Sequence, residues 1–214
     1  MAAISVAGDT SGSVTLQAPA VAGSSVLTLP VATDTLVGKA TTDTLTNKTL
    51  GPGLVAGASL LTSGTAVAST SGTSIDFTGI PSWAKRVPVM FSGVSTNSTS
   101  FIQIQVGSTT VTTSGYLGSS QNMYTANLYQ LSALGTGFVI NAGSAGNIIT
   151  GTLVLTLQTT NTWVGVGATT TSNAGSSNYQ QGVIALGGTL DRVRITTVNG
   201  TDTFDAGSIN IMYE

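Results

Sequence analysis

The sequence predicts an all-β protein in which an extended N-terminal arm leads into an antiparallel β-sandwich of jelly-roll-like type. Three observations carry this. Short runs with apolar residues at every second position recur from Ser74 onward, and period-2 spacing sends alternate side chains to one face of a strand. Gly, Ser and Asn clusters separate those runs at turn-like intervals. No long helical pattern lies between them, so a parallel α/β sheet would lack its crossover helices.

The organising stretch is Ser74 to Gly93, SIDFTGIPSWAKRVPVMFSG. It reads as a strand at Ser74 to Phe77, a corner at Gly79 to Pro81, and a longer strand from Trp83 with Val87, Val89 and Phe91 on one face. Three regions follow from it: an arm at residues 1–50, an ordered connection at 51–72 and the β-sandwich at 73–214. The arm carries two alternating pieces, Val14-Thr-Leu16 and Val26-Leu-Thr-Leu29, each too short to bury much alone. In the arm, Thr-Asp-Thr-Leu at 33–36 returns at 42–45. The threonine density predicts extended chain there, with at most one helical turn. The connection carries Leu54, Val55, Leu60, Leu61 and Val67, which a solvated tether would not need.

Within the sandwich two hairpins can be specified by register. Phe101 to Val106 alternates Ile102, Ile104 and Val106 against Gln103 and Gln105, and Gly107-Ser108 suits a two-residue loop that sets Ile104 opposite Val111. Asp191 to Val198 leads to Asn199-Gly200, a strong hairpin signal, and returns through Thr201 to Asp205. That register sets Ile195 opposite Phe204 and Arg194 opposite Asp205. Ile209, Ile211 and Tyr213 have the opposite parity from Phe204, which requires a bulge or bend at Asp205-Ala206-Gly207. Further strands are expected at Leu128–Leu131, Gly137–Ile140, Thr150–Gln158, Thr162–Ala168 and Gln181–Leu186.

Composition narrows the function. Charged residues are 7% of the 214 residues and the net charge is −2, against about 25% charged in an ordinary domain. Ser, Thr, Asn and Gln, or other protein, must cover such a surface. Six Lys plus Arg in all leave no basic footprint for a phosphate backbone. Cysteine and histidine are absent, which removes disulfide staples and the commonest general base and metal ligand. Mean hydropathy is +0.34, yet no apolar run approaches the ~18 residues of a membrane helix. With Lys39 as the first basic residue, no charged secretory leader is expected.

Several small patterns invite chemistry. Ser82-Trp-Ala-Lys85 has the Ser-x-x-Lys spacing of serine acyl enzymes, but it opens a strand after Pro81, and Ser-Asp-Asn and Lys-Thr-Gly do not accompany it. Asn199, Asp202 and Asp205 could ring a calcium ion, but turn chemistry accounts for them better. Gly165-Val-Gly167 lacks the third glycine of a dinucleotide loop and fits close backbone approach inside a strand. Asn47, Asn97 and Asn199 begin Asn-x-Ser/Thr triplets, which Ser/Thr abundance alone produces. Asp76, Asp191, Asp202 and Asp205 are the acids that could meet across a cleft. No constellation supplies nucleophile, base and orienting group together, so no catalytic residue, cofactor or metal is assigned and an enzyme is not expected.

The arm SGSVTLQAPAVAGSSVLTLP with ATTDTLTNKTL at Ala40 to Leu50 resembles the N-terminal region of tailed-bacteriophage fibre and tail-associated proteins. SIDFTGIPSWAKRVPVMFSGVSTNSTS with GSINIMYE is similar to a β-domain of phage structural proteins. The resemblance implies a virion appendage, a homotrimer fixed to other virion proteins by its arm, made in the host cytoplasm and displayed on the particle. Sparse charge agrees, because uncharged faces bury well when copies associate. As a tail-fibre adhesin it would stack exposed Tyr and Trp side chains, among them Tyr116, Tyr124, Tyr129 and Tyr179, on host-surface glycans. As a head fibre or capsid decoration protein it would contact capsid or tail subunits.

Overall fold

The structure is a computed structural model that describes residues 3–7, 10–17, 61–124, 127–132, 135–141 and 143–214. The chain divides into two compact units, Met1–Leu54 and Val55–Glu214. In the first, β1 (Ala3–Ala7) and β2 (Ser13–Gln17) form an antiparallel hairpin with Ser5 opposite Thr15. β2 contains the expected Val14-Thr-Leu16, and β1 was not anticipated. The expected strand at Val26–Leu29 and the extended segment at 32–50 lie outside the described residues.

The second unit is all-β among the described residues, and every strand pairing in it is antiparallel. In chain order it contains β3 (Thr62–Ser63), β4 (Val67–Ala68), β5 (Ser74–Thr78), β6 (Arg86–Thr96), β7 (Ile102–Ser108) and β8 (Thr110–Val111). There follow β9 (Leu117–Tyr124), β10 (Asn127–Ser132), β11 (Phe138–Ile140), β12 (Ile149–Thr159) and β13 (Thr162–Thr171). Last come β14 (Ser176–Ala185), β15 (Arg192–Thr197) and β16 (Phe204–Tyr213). The larger sheet runs β10-β9-β14-β13-β12-β6-β16-β3, with β4 also on β16. The smaller runs β11-β7-β15-β5, with β8 also on β7.

The two sheets share one apolar core, which makes the unit sandwich-like. Val87, Val89 and Phe91 of β6, Leu153 and Leu155 of β12, and Ile209 and Ile211 of β16 meet Ile75, Ile104 and Ile195 of the smaller sheet there. Burying each such side chain contributes about 1.5–3 kcal/mol. Keeping both ends of β6 and β16 in that core requires a change of parity. Phe91 and Val94 are both buried, as are Phe204 and Ile209, and an odd step between two inward residues needs one extra residue. The pairing of β16 with β6 shifts register twice between Phe204 and Ser208. Gly207 takes φ +88° and Gly93, beside it, φ +66°. A Cβ on Gly207 would lie 2.3 Å from the Gly93 carbonyl oxygen. The bulge expected at Asp205-Ala206-Gly207 is therefore present.

A second device fits the sheets together. Gly165 of β13 pairs with Gly182 of β14, which pairs with Gly118 of β9. The Phe138 ring from the smaller sheet packs over this row, 2.8 Å from where a Gly165 Cβ would be and 3.2 Å from that of Gly182. A Cβ on Gly167 would lie 2.9 Å from the Thr152 carbonyl oxygen, so Gly165-Val-Gly167 is a place of close backbone approach, as its sequence suggested. Tyr116 meets the same ring edge-on, with centroids 5.3 Å apart.

Both expected hairpin registers need correction. Ile104 faces Phe138 and Ile195, not Val111. Val111 pairs with Gly107, and Thr109, at φ +65°, occupies the turn with its N–H given to Asp191 Oδ2 at 3.0 Å. Nor does Ile195 face Phe204, or Arg194 face Asp205. β15 is paired on both sides, by β5 and β7, so β16 has no edge to join there and crosses to β6 in the other sheet. The Asn199-Gly200 turn still forms: Gly200 N donates to Thr197 O at 3.0 Å, and Asn199 Oδ1 accepts the N–H of Thr201 at 3.0 Å. It turns the chain between sheets instead of back along one.

The other expected strands are present as β10 to β14, close to their expected limits except that β14 begins at Ser176 and not at Gln181. β9 was missed because LGSSQNMY does not alternate; its neighbours β14 and β10 recruit it through the backbone. Residues 61–72 of the expected connection supply β3 and β4, which lengthen the larger sheet along β16.

Gly165→Ala should lower stability by about 1–3 kcal/mol through overpacking against Phe138. Phe138→Leu should recover part of that loss in the double mutant, as read from urea unfolding of the four-member cycle. Strictly additive costs would show that the ring does not rest on the glycine row.

Candidate functional site

Charge is segregated along the chain. Between Arg86 and Asp191 there is no Asp, Glu, Lys or Arg, so β7 to β14 carry no formal charge. The charged groups that remain in this unit are mostly engaged close at hand. Arg194 Nε and Nη2 donate to the two Asp76 carboxylate oxygens at 2.7 and 2.9 Å, a two-pronged bond across paired strands. Arg192 Nε bonds Asp191 at 2.7 Å, and Arg86 Nη1 bonds Glu214 at 2.7 Å. The bond from Arg192 holds the Asp191 carboxyl below its ordinary value. These pairs are too exposed to count for much stability.

The four candidate acids do not face one another. Asp76 and Asp191 take the arginines just named. Asp202 is held by Asn199 Nδ2 at 2.6 Å and by the Ser100 backbone N–H at 3.0 Å. Those bonds, the Asn199 one foremost, lower its carboxyl below the ordinary value. Asp205 accepts the Ser95 hydroxyl. Of the suggested calcium ring, Asn199 and Asp202 come together as a turn lock and Asp205 belongs to the bulge. Among the described residues, no three Asp, Glu, His or Cys side chains gather as a metal would require. Ser82 lies in the tight turn closed by Ala84 N to Pro81 O at 3.0 Å, and Lys85 follows that turn. Lys85 N then bonds Glu214 O at 2.7 Å, so the segment leads into β6 with none of the helical turn that a Ser-x-x-Lys nucleophile uses. Asn97 Oδ1 accepts the Thr203 N–H at 2.9 Å, which explains that triplet by local structure. Asn47 lies outside the described residues.

The tyrosines divide. Tyr116 is a core residue, not a glycan-stacking one: it is 3% exposed, and its hydroxyl accepts the Val106 N–H at 2.7 Å and reaches Thr112 O at 3.0 Å. Burial pushes its pKa up to about 12. Tyr124 and Tyr179 are exposed on the larger sheet, and the Tyr129 side chain lies outside what is described. Sequence reading expected exposed Trp without picking out Trp83, which is exposed and packs edge-on against Tyr213 at 5.6 Å.

It also passed over the outer face of the larger sheet. Register sets Gln121, Tyr179, Ala168, Thr152 and Met90 in one row across β9, β14, β13, β12 and β6. Beside that row Leu117 is 68% exposed and Val166 56%, and Met123 is also open. Apart from the Arg86–Glu214 pair at its margin and Asp205 at the β16 bulge, this face has no charge among the described residues. The uncharged stretch after Arg86 was readable in the sequence; which of its residues share a face was not. The inner face opposite is polar toward β9, where Asn122 Nδ2 donates to Asn178 Oδ1 at 2.7 Å and to Asn141 O at 2.8 Å.

Two titrations follow. Asp202 holds its proton less tightly folded than unfolded, so its contribution is complete at neutral pH and fades as pH falls below about 4. Asp202→Asn should flatten the acid side of the stability profile measured by urea melts. Tyr116→Phe should cost about 1–3 kcal/mol, since it strands the buried Val106 N–H. It should also remove the most alkaline step from the ultraviolet tyrosine titration.

Comparisons of the chain with protein-family models, with curated proteins and with solved structures find no match.

Proposed function

We propose that the chain is a non-enzymatic structural protein of a tailed-bacteriophage virion, a trimeric fibre-type appendage attached by its N-terminal arm and displaying the β-domain. The observation that carries this reading is the outer face of the larger sheet, which carries no formal charge across β9, β14, β13 and β12. Exposed Leu117, Val166, Met123 and Tyr179 on one face are costly to leave against water and suit burial by another copy. Five strands at about 4.8 Å spacing and eight residues long present on the order of 600 Å², close to the roughly 800 Å² per partner of a standard interface. The division into a small N-terminal unit and a large β-unit fits an arm and a displayed domain. The arm phrases that resemble fibre proteins supply the choice of virion over other assemblies.

Light scattering on the full chain should give three times the chain mass. Val166→Lys, at an exposed position, should leave the fold intact and weaken association by about 3 kcal/mol, roughly a hundredfold, by burying an unpaired charge. A well-folded monomer at micromolar concentration would sink the assembly. Deleting the gene in the phage separates the two placements. Lost adsorption with stable heads supports a tail appendage, whereas fragile heads with normal adsorption support a capsid decoration protein.

A further inference from the structure

The outer face of the smaller sheet holds a groove of about 330 Å³ with a polar floor. Register lays two rows across it: Gln105, Arg194 and Asp76, then Gln103, Thr196 and Ser74. Outward residues of a two-layer protein are ordinarily solvated, yet Gln103 and Gln105 are only 3% and 5% exposed. The chain around Thr136 folds over them. Thr136 Oγ1 donates to Gln103 Oε1 at 2.8 Å, and Gln105 Nε2 donates to Thr136 O at 2.9 Å. Gln103 Nε2 donates to Thr197 O at 3.2 Å, and Thr196 Oγ1 to Thr73 O at 2.8 Å.

These bonds fix what the floor can offer. Each glutamine amide nitrogen carries two N–H groups and uses one in the bonds above, so among the described residues a second donor remains on each. Thr136 and Thr196 have committed their hydroxyl protons and present lone pairs. Arg194 spends Nε and Nη2 on Asp76 and keeps Nη1, while the pair as a whole is neutral. The floor thus holds donors and acceptors side by side, in side chains fixed by hydrogen bonds, with no net charge.

We infer that this groove binds a neutral saccharide. A sugar hydroxyl donates and accepts at once, which is what a floor of mixed donors and acceptors matches, and the volume lies in the range of small-ligand sites. Side chains already held in place lose little entropy on binding. A phosphate or acidic ligand would find its one cation already neutralised. An extended peptide needs a free strand edge or apolar side-chain pockets, and this is a polar sheet face. The inference needs only the smaller sheet and holds for a single copy, whether or not copies assemble; assembly would add avidity through effective concentration.

The test is a titration of the isotope-labelled full chain with maltotriose, diacetylchitobiose and mannobiose, with sialyllactose and a Ser/Thr-rich peptide as contrasts, read by nuclear magnetic resonance. At least one neutral sugar should shift the Gln103 and Gln105 side-chain amides and the Thr196 backbone amide saturably. Ser74→Trp, which fills the groove from β5 and leaves the floor bonds alone, should weaken that binding about tenfold or more; Gln105→Leu should do the same, with thermal melts as the folding control. The inference is overturned by no response to any neutral sugar, or by shifts gathered at Trp83, Tyr124 and Tyr179 instead. A response only to sialyllactose or the peptide, or unchanged binding in a folded Ser74→Trp, overturns it equally. Sugar shifts in a monomeric chain would uphold the groove and reject the assembly.

Discussion

The fold depends on keeping β6 and β16 paired while both ends of each strand point into one core. A strand's side chains change face at every residue, so Phe91 with Val94, and Phe204 with Ile209, can all face inward only when each strand takes in an extra residue. The two insertions sit side by side, Gly93 against Gly207, at a separation that leaves no room for a Cβ. Either bulge alone would move one strand's apolar set to the outer face. Together they keep the register shift local and leave the pairing from Ser208 to Ile211 intact.

From that pairing the rest of the sandwich is built outward. β12, β13 and β14 extend the larger sheet from β6, and the row Gly118-Gly182-Gly165 leaves the space where Phe138 brings the smaller sheet into contact. Farther along, the inner face becomes amide and hydroxyl, with Asn178 and Gln180 almost wholly buried. Buried amides are tolerable only when bonded, and Asn122, Asn141 and Thr171 provide bonds to or near Asn178. Trp163 Nε1, Ser120 Oγ and Thr169 Oγ1 are buried without a partner among the described residues.

The proposed function rests on where charge is absent and where polar side chains are held by hydrogen bonds. The larger sheet offers a broad face that water solvates poorly, the surface on which the assembly reading rests. The smaller sheet carries three of the unit's arginine and aspartate groups in and beside a groove whose polar atoms are already oriented. The two surfaces are on opposite outer faces of one two-layer unit, so the proposed association through the first would leave the second accessible.

The sequence by itself determined the all-β class, most strands, the bulge before Ser208 and the glycines of close approach, because alternation and backbone conformation are local properties. It missed β9, whose LGSSQNMY carries no period, and it read Tyr116 as a surface side chain when only tertiary packing puts that ring against Phe138. Partner choice was decided by the tertiary structure alone. Asn199-Gly200 specifies a turn, but whether Phe204 returns beside Ile195 or crosses to β6 depends on which strand edges are already filled. That is a property of the whole sheet and not of any stretch within it. The groove floor has the same origin: Gln105, Arg194 and Asp76 are far apart along the chain and become one row only when β7, β15 and β5 pair.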